Sequence, residues 1–340
     1  MKETSVMKET KFKKEEGNHH IHLIESDTQG YIFYHAENRG MASWMDNAGV
    51  LQESPSKKVL KDGSKNLLSS IYDGAINYFK SHDIAWWHMA AEPSTAPTCN
   101  VLSSQIHCLN HLFGIRNNEE AIKAVLLNAT GIKFDTILTS LDNDGLIAFE
   151  FTYKNKELLG EDDAGARRGA FCTSIDAMIR AQKDEEIYLI PIEWKYTEAY
   201  EDQDLTCSKR LKRYQHLIEK SEQLKVPTDG VPHSIYMKEP QYELMRQTLL
   251  VEQIIRLGLA DHFIHIFVVP GKNEELRQSV DDNYKPMLNN PDLFCCIDPY
   301  DLLKPLTIAP FINDKHISNM IDYLRIRYWN EKKISLNIRY

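Results

Sequence analysis

The sequence predicts an α/β layer protein whose mixed sheet is flanked by helices. Three observations carry that prediction. Apolar residues recur at helical spacing from Ser64 to Leu127. The period then shortens in three runs, GLIAFEFTY (145–153), FCTSIDAMI (171–179) and EIYLIPIEWKY (186–196), which are rich in Ile, Phe, Tyr and Thr. Helical spacing returns from residue 208, interrupted by one short apolar run, HFIHIFVVP (262–270).

The elements follow in order. Residues 1–18 are charged, nearly free of large apolar side chains and contain MKET twice, so they read as a disordered tail. Residues 19–340 read as a single domain with N-terminal and C-terminal elaborations. IHLIES and GYIFYHA look like short strands around a Thr-Gln-Gly break. Helices are expected over LLSSIYDGAINYF, over Val101–Phe113, and over Asn118–Leu127. Asn117 or Asn118 can cap the last of these, and two glutamates sit in its first turn. The second and third strand runs form a hairpin turning around Gln182–Glu186. SKRLKRYQHLIEKSE (208–222) places Leu211, Tyr214, Leu217 and Ile218 on one helical face. QYELMRQTLLVEQIIRLG is a further helix ended by Gly258, and a last one lies near HISNMIDYLRIRYW.

The 340 residues, 42% hydrophobic and 26% charged, supply an ordinary core without need of disulfides. Cys99, Cys108, Cys172, Cys207, Cys295 and Cys296 show no paired framework, and no run approaches the roughly 20 apolar residues of a membrane span. A soluble, cytoplasmic protein is expected. The net charge of −9 argues against coating nucleic acid through bulk positive charge. It leaves room for a basic groove beside an acidic centre.

One constellation carries chemistry. In EIYLIPIEWKY, side chains alternate faces. Ile190, Ile192 and Trp194 point one way; Glu193 and Lys195 point the other, about 7 Å apart along the strand. Charges on one face of an apolar strand are costly unless paired or holding a metal. Asp176 lies on the preceding strand, opposite in face to Ile175 and Ala177, and can face Glu193 across the hairpin. Two converging carboxylates suit Mg²⁺, and Lys195 can position a water or offset charge on a phosphate. Of the three Glu-x-Lys tripeptides, only Glu193-Trp194-Lys195 sits in an apolar strand with an upstream Asp. An ion pair of Lys195 with Glu193, Asp176 or Glu198 on a sheet surface is the other reading these residues allow.

The run TSIDAMI…IPIEWKYTEAY resembles the core of the PD-(D/E)xK nuclease superfamily, and more narrowly a group of bacterial putative restriction endonucleases. The matching residues are Phe149-Glu150, Thr173-Ser174-Ile175-Asp176, Glu193-Trp194-Lys195-Tyr196-Thr197-Glu198 and the stretch from Tyr242 to Leu250, YELMRQTLL. LSSQIHCLNHLF (102–113) is similar to that group's helix. The resemblance spans roughly residues 85–270. It departs from the pattern in one place: Ile175, not Pro, precedes Asp176. It implies a restriction-endonuclease-like αβββαβ core, Mg²⁺ dependence with Mn²⁺ as a substitute, and DNA cleavage by Asp176, Glu193 and Lys195. Glu150 stands as a third carboxylate or as a solvent-facing strand residue. By analogy, cutting two strands suggests a homodimer. A non-catalytic interaction module on the same fold, and a repair or RNA nuclease, are the alternatives.

Lys209, Arg210, Lys212 and Arg213 open the helix after the Glu193 strand and, with Arg167 and Arg168, form a candidate phosphate-contacting rim. A solvated helix face is the plainer reading. Arg246 or Gln247 lines the site or makes a structural hydrogen bond. Cys99, His107, Cys108 and His111 have poor spacing for zinc, and His19, His20 and His22 read as solvated. No ββα pattern of an HNH nuclease and no P-loop is present in the sequence.

Overall fold

A computed structural model describes residues 9–45, 50–87, 94–154, 156–161, 172–200, 204–226 and 233–329. The chain divides into two compact units. One comprises Lys11–Ile115 together with the chain from Leu303 onwards; the other holds Arg116–Leu302. The first unit joins distant parts of the chain, so no linker of distinctive composition marks the division.

The first unit opens with helix α1 (Lys11–Ser26), followed by the antiparallel pair β1 (Asn38–Met45) and β2 (Leu51–Leu60). Helices α2 (Tyr72–Ser81) and α3 (Ser104–Leu112) come next. Two expectations are corrected here. The charged tail does not extend to residue 18, because α1 begins at Lys11, and IHLIES is helical rather than a strand. Phe12, Glu16, Gly17 and His20 are the buried residues of α1, so two of the four inward positions are polar. GYIFYHA is a turn held by Asp27, whose carboxylate accepts from the backbone N–H groups of Tyr31, Ile32 and Phe33.

The second unit carries the predicted sheet. Helix α4 (Glu119–Thr130) is capped by Asn118, whose side chain accepts from Ala121 N at 3.1 Å, and Gly131 ends it at φ +71°. Strands β3 (Thr136–Leu138) and β4 (Ile147–Phe151) both pair antiparallel with β5 (Ile175–Lys183). β5 forms a hairpin with β6 (Glu186–Trp194), running from Ala177↔Ile192 to Lys183↔Glu186. Its two turn residues, Asp184 and Glu185, have φ +51° and +70°, as a two-residue primed turn requires.

Helices α5 (Ser208–Ile218) and α6 (Gln241–Arg256) then lead to the short strands β7 (His262–Phe263) and β8 (His265–Val268), both parallel to β6. Helix α7 (Glu274–Ser279) leads to β9 (Phe294–Ile297), parallel to β8, and α8 (Pro299–Leu303) follows. The chain returns to the first unit with α9 (Lys315–Arg327). The result is a mixed seven-stranded sheet flanked by helices, as the sequence predicts.

The sheet's core positions the site. Ala148, Met178, Leu189 and Phe267 pack with Leu244, Met245, Val251 and Ile254 of α6. The strand residues Ile190, Ile192 and Trp194 are buried as well, so β6 is covered on both faces. Among the described residues, no helix is long and apolar enough to cross a membrane.

Candidate active site

Pairing register places three carboxylates in a row across β4, β5 and β6. The pairs Phe149↔Ala177 and Phe151↔Ile175 bracket Glu150 against Asp176. Continuing the hairpin one step beyond Ala177↔Ile192 brings Asp176 against Glu193. Glu150 has φ +47°, a left-handed backbone that a strand glutamate adopts only under constraint from its surroundings, and it is buried. Asp176 Oδ2 accepts from Trp194 N at 2.7 Å, which ties it to the strand that carries Glu193.

Lys195 is buried between two acids. Its Nζ lies 2.5 Å from Glu193 Oε1 and 2.5 Å from Glu243 Oε2. Gln247, one turn further along α6, is fully buried. Its Nε2 donates to Glu193 Oε2 at 2.5 Å and to Ser174 O at 2.9 Å, and its Oε1 meets His265 Nε2 at 3.1 Å. Glu243 and Gln247 therefore hold Lys195 and Glu193 from the helix side.

The electrostatics follow from burial. Asp176 is pushed up to about 8, chiefly by burial; Glu150 and Glu243 add to this and Lys195 opposes it. Burial, then Asp176 and Glu243, hold Glu193 well above the usual carboxylate range. Burial works against the charge on Lys195, but Glu193 and Glu243 outweigh it and keep the ammonium charged. Burial also opposes ionisation of Glu243, yet Lys195 brings it below its ordinary value.

Among the described residues, no three His, Cys, Asp or Glu side chains are arranged as a preformed metal-binding group. The donors nonetheless suit a hard cation. They are all carboxylate oxygens, they are too crowded to ionise together, and Mg²⁺ commonly takes only one or two protein carboxylates and completes its shell with water. Glu239, held up at about 7 mainly by burial, and Tyr200, whose phenol burial keeps protonated, stand close enough to be felt by Lys195.

A second cluster braces the start of β5. Buried Glu161 accepts from Thr173 N at 2.5 Å, Thr173 Oγ1 at 2.7 Å and Tyr214 OH at 2.7 Å. Arg246 Nε lies 3.3 Å from Glu161 Oε1 and donates to Thr173 Oγ1 at 3.0 Å. Thr173 and Ser174 thus enter β5 under hydrogen-bond control from α5 and α6, two to three residues ahead of Asp176.

A family model described as restriction endonuclease associating with ARP matches residues 11–329. The chain belongs to that family. The match runs through both compact units of this restriction-endonuclease family member and includes every site residue named above. Searches of curated proteins and of solved structures return no match.

The structure of this family member brings together Asp176, Glu193 and Lys195, with Glu150 in register beside them. It divides the four basic residues of α5. Lys209 and Lys212 are exposed. Arg210 donates to Leu205 O at 2.7 Å and lies 5.4 Å from the Tyr242 ring, and Arg213 lies 5.9 Å from the Tyr214 ring. Arg167 and Arg168 fall outside the described residues. Of the pair Arg246 and Gln247, both reach the site region, Gln247 through Glu193 and Arg246 through Thr173. Sequence reasoning assigned no role to Glu243, Glu161 or His265. The i, i+4 spacing of Glu243 and Gln247 in an apolar helix was the signal available for the first. His20, expected to be solvated, and His107 and His111 are buried, and His111 Nδ1 bonds to His107 O at 2.7 Å.

Proposed function

We propose that this protein is a metal-dependent endonuclease that hydrolyses DNA phosphodiester bonds, as a restriction-type or defence enzyme of the PD-(D/E)xK kind. The observation that carries the reading is the buried Lys195 ammonium within 2.5 Å of Glu193, on the strand whose Trp194 N–H holds Asp176. In this reading Asp176 and Glu193 hold Mg²⁺, with Mn²⁺ as a substitute, and Glu150 assists. When bound, the cation would supply Lewis-acid polarisation of a phosphoryl oxygen and activation of a water.

The chain's own groups do the rest. Trp194 N–H orients Asp176, and Gln247 fixes Glu193, so the two carboxylates are held before substrate arrives. Lys195 would position the attacking water and offset charge developing on the phosphate. Glu243 keeps Lys195 charged meanwhile. Lys209 and Lys212, with Arg210 and Arg213 stacked on tyrosines beneath them, serve as backbone contacts for DNA. The protein acts in the cytoplasm, and cutting of both strands is the work of a homodimer.

The test is cleavage of supercoiled and linear DNA, with RNA alongside, in Mg²⁺, Mn²⁺ or EDTA. Metal-dependent DNA cleavage that Asp176→Asn abolishes supports the proposal, and internal nicking of the supercoiled form identifies endonucleolytic action. Cleavage of RNA alone moves the reading to an RNA nuclease. No cleavage of either by folded protein moves it to a non-catalytic interaction module.

A further inference from the structure

Arg246 is held at its inner edge and open at its outer one. Its Nε lies 3.3 Å from Glu161 Oε1 and donates to Thr173 Oγ1 at 3.0 Å. Its Nη1 and Nη2 make no hydrogen bond among the described residues. The side chain is 19% exposed. Glu161 and Thr173, which Nε faces, are both buried, so that exposure belongs to the outer end. A structural arginine of this chain is arranged otherwise: Arg327, fully buried, donates from Nη1 to Asn66 O and from Nη2 to Asn66 Oδ1. A guanidinium anchored through Nε presents its Nη groups as a planar fork that matches two oxygens of a phosphate.

The fork lies beside the carboxylate row. Thr173 is three residues ahead of Asp176, at most about 11 Å along the chain. Gln247, next to Arg246 in α6, bonds to Glu193 Oε2 and Ser174 O. On the other side, Arg246 and Arg210 share one aromatic ring: their guanidinium carbons lie 5.1 Å and 5.4 Å from the Tyr242 centroid. Arg246 thus links the basic start of α5 to the carboxylate row.

Charge makes such a group necessary. Carboxylates crowd the one lysine of the row: Asp176, Glu193, Glu239 and Glu243 all act on Lys195, which Glu193 and Glu243 engage at 2.5 Å each. A phosphodiester entering that field is repelled unless a cation faces it. Arg246 supplies one, because Glu161 takes its inner edge and leaves the outer donors for a ligand.

We propose that Arg246 binds phosphate: its Nη1 and Nη2 grip a DNA backbone phosphate next to the scissile one, and Glu161 and Thr173 position it through Nε. The proposal rests on the nuclease reading for its substrate and adds a contact inside the site, apart from the α5 rim. The inner pairing orients the fork before DNA arrives, which lowers the ordering cost of the contact.

The experiment is binding of a fluorescein-labelled DNA duplex to the full chain, followed by anisotropy from about 50 to 200 mM KCl, in Ca²⁺ and in EDTA. In Arg246→Gln the amide donates to Glu161 or Thr173 from the position of Nε, while the outer fork is gone. The proposal expects the slope of log K against log salt to lose about 0.9, the share of one phosphate contact, and affinity to fall at least fivefold. Arg246→Lys keeps the charge without the fork and should restore the slope but only part of the affinity. Exchange of the β5 amides checks that each variant is folded. An unchanged slope in Arg246→Gln, or full affinity in Arg246→Lys, would overturn the proposal and leave Arg246 as a structural partner of Glu161. If Arg246→Gln does not fold, the affinity of Arg246→Lys decides alone. Mg²⁺-dependent cleavage by the unaltered protein is measured alongside. Cleavage with an unchanged slope removes the proposal and leaves the nuclease reading; a lowered slope without cleavage of any DNA does the reverse. No duplex binding by the unaltered protein overturns the proposal whatever the cleavage result.

Discussion

Replacing Gln247 by Leu tests whether α6 truly holds the carboxylate site. The side chain is fully buried and serves three partners: Glu193 Oε2, Ser174 O and His265 Nε2. Leucine is close in volume, so packing changes little. What changes is satisfaction: the buried Glu193 and His265 and the half-buried Ser174 carbonyl lose their partner, at about 1–3 kcal/mol for each buried group. Partial relaxation lowers the sum, and a loss of about 3–5 kcal/mol is expected, a large share of the ~5–15 kcal/mol of a typical domain. The chain has two compact units, so a single unfolding midpoint would blend them. Native-state hydrogen exchange of the β6 and β8 amides, followed in urea without metal, reads the affected unit directly. The protection free energy of those amides should fall by the stated amount while amides of α1 and α3 keep theirs. A change below about 1 kcal/mol in β6 and β8 would refute the claim that Gln247 is their structural bridge.

Two further predictions follow the same logic. Glu161→Ala leaves Arg246 and Tyr214 without their shared acceptor and should destabilise the sheet-bearing unit by about 3–5 kcal/mol, as breaking a buried ion pair does; exchange of the β5 amides checks it, and Glu161→Gln, which retains one acceptor oxygen, should cost less. The other concerns pH. Burial lowers His111 to about 3 and holds His20 and His107 well below their ordinary value. The unfolded chain therefore binds more protons than the folded one once pH falls below about 6.5, so stability present at neutral pH is lost on acidification. The slope should reach about 1.4 kcal/mol per pH unit per histidine, and His111→Phe should flatten it; an unchanged slope between pH 7 and 5, read by exchange in α3, would contradict the assignment.

The sheet was legible in the sequence because its strands are short apolar runs bounded by turn residues, and because the hairpin residues Asp184 and Glu185 sit where the run breaks. The Asp176–Glu193–Lys195 grouping was legible for a physical reason too: charges inside an apolar strand stand out against their neighbours. Helix α1 was not, because its buried stripe is Phe12, Glu16 and His20 rather than a run of aliphatic residues. His20 packs edge-on against the rings of Phe33 and Tyr328, the latter far along the chain, and local periodicity contains neither contact. The neighbouring helix α9 shows the same thing: Arg327 is fully buried, donating to Asn66 O at 2.7 Å, with Phe33 4.5 Å from its guanidinium. Glu161 was likewise invisible, since its four interactions come from Thr173, Tyr214 and Arg246, all distant in sequence. Glu243 shares a helix face with Gln247 at i, i+4, but that spacing does not say which strand residue the face meets, so its contact with Lys195 was not legible.

The measurement that tests the central claim most directly is single-turnover DNA cleavage by Lys195→Met beside the unaltered protein, with Mg²⁺ binding followed calorimetrically in both. If Lys195 acts on the attacking water and the phosphate while Asp176 and Glu193 hold the cation, cleavage should fall by at least about 100-fold with Mg²⁺ binding retained. Cleavage by Lys195→Met at the unaltered rate would contradict the account and leave Lys195 as the counter-ion of Glu193 and Glu243.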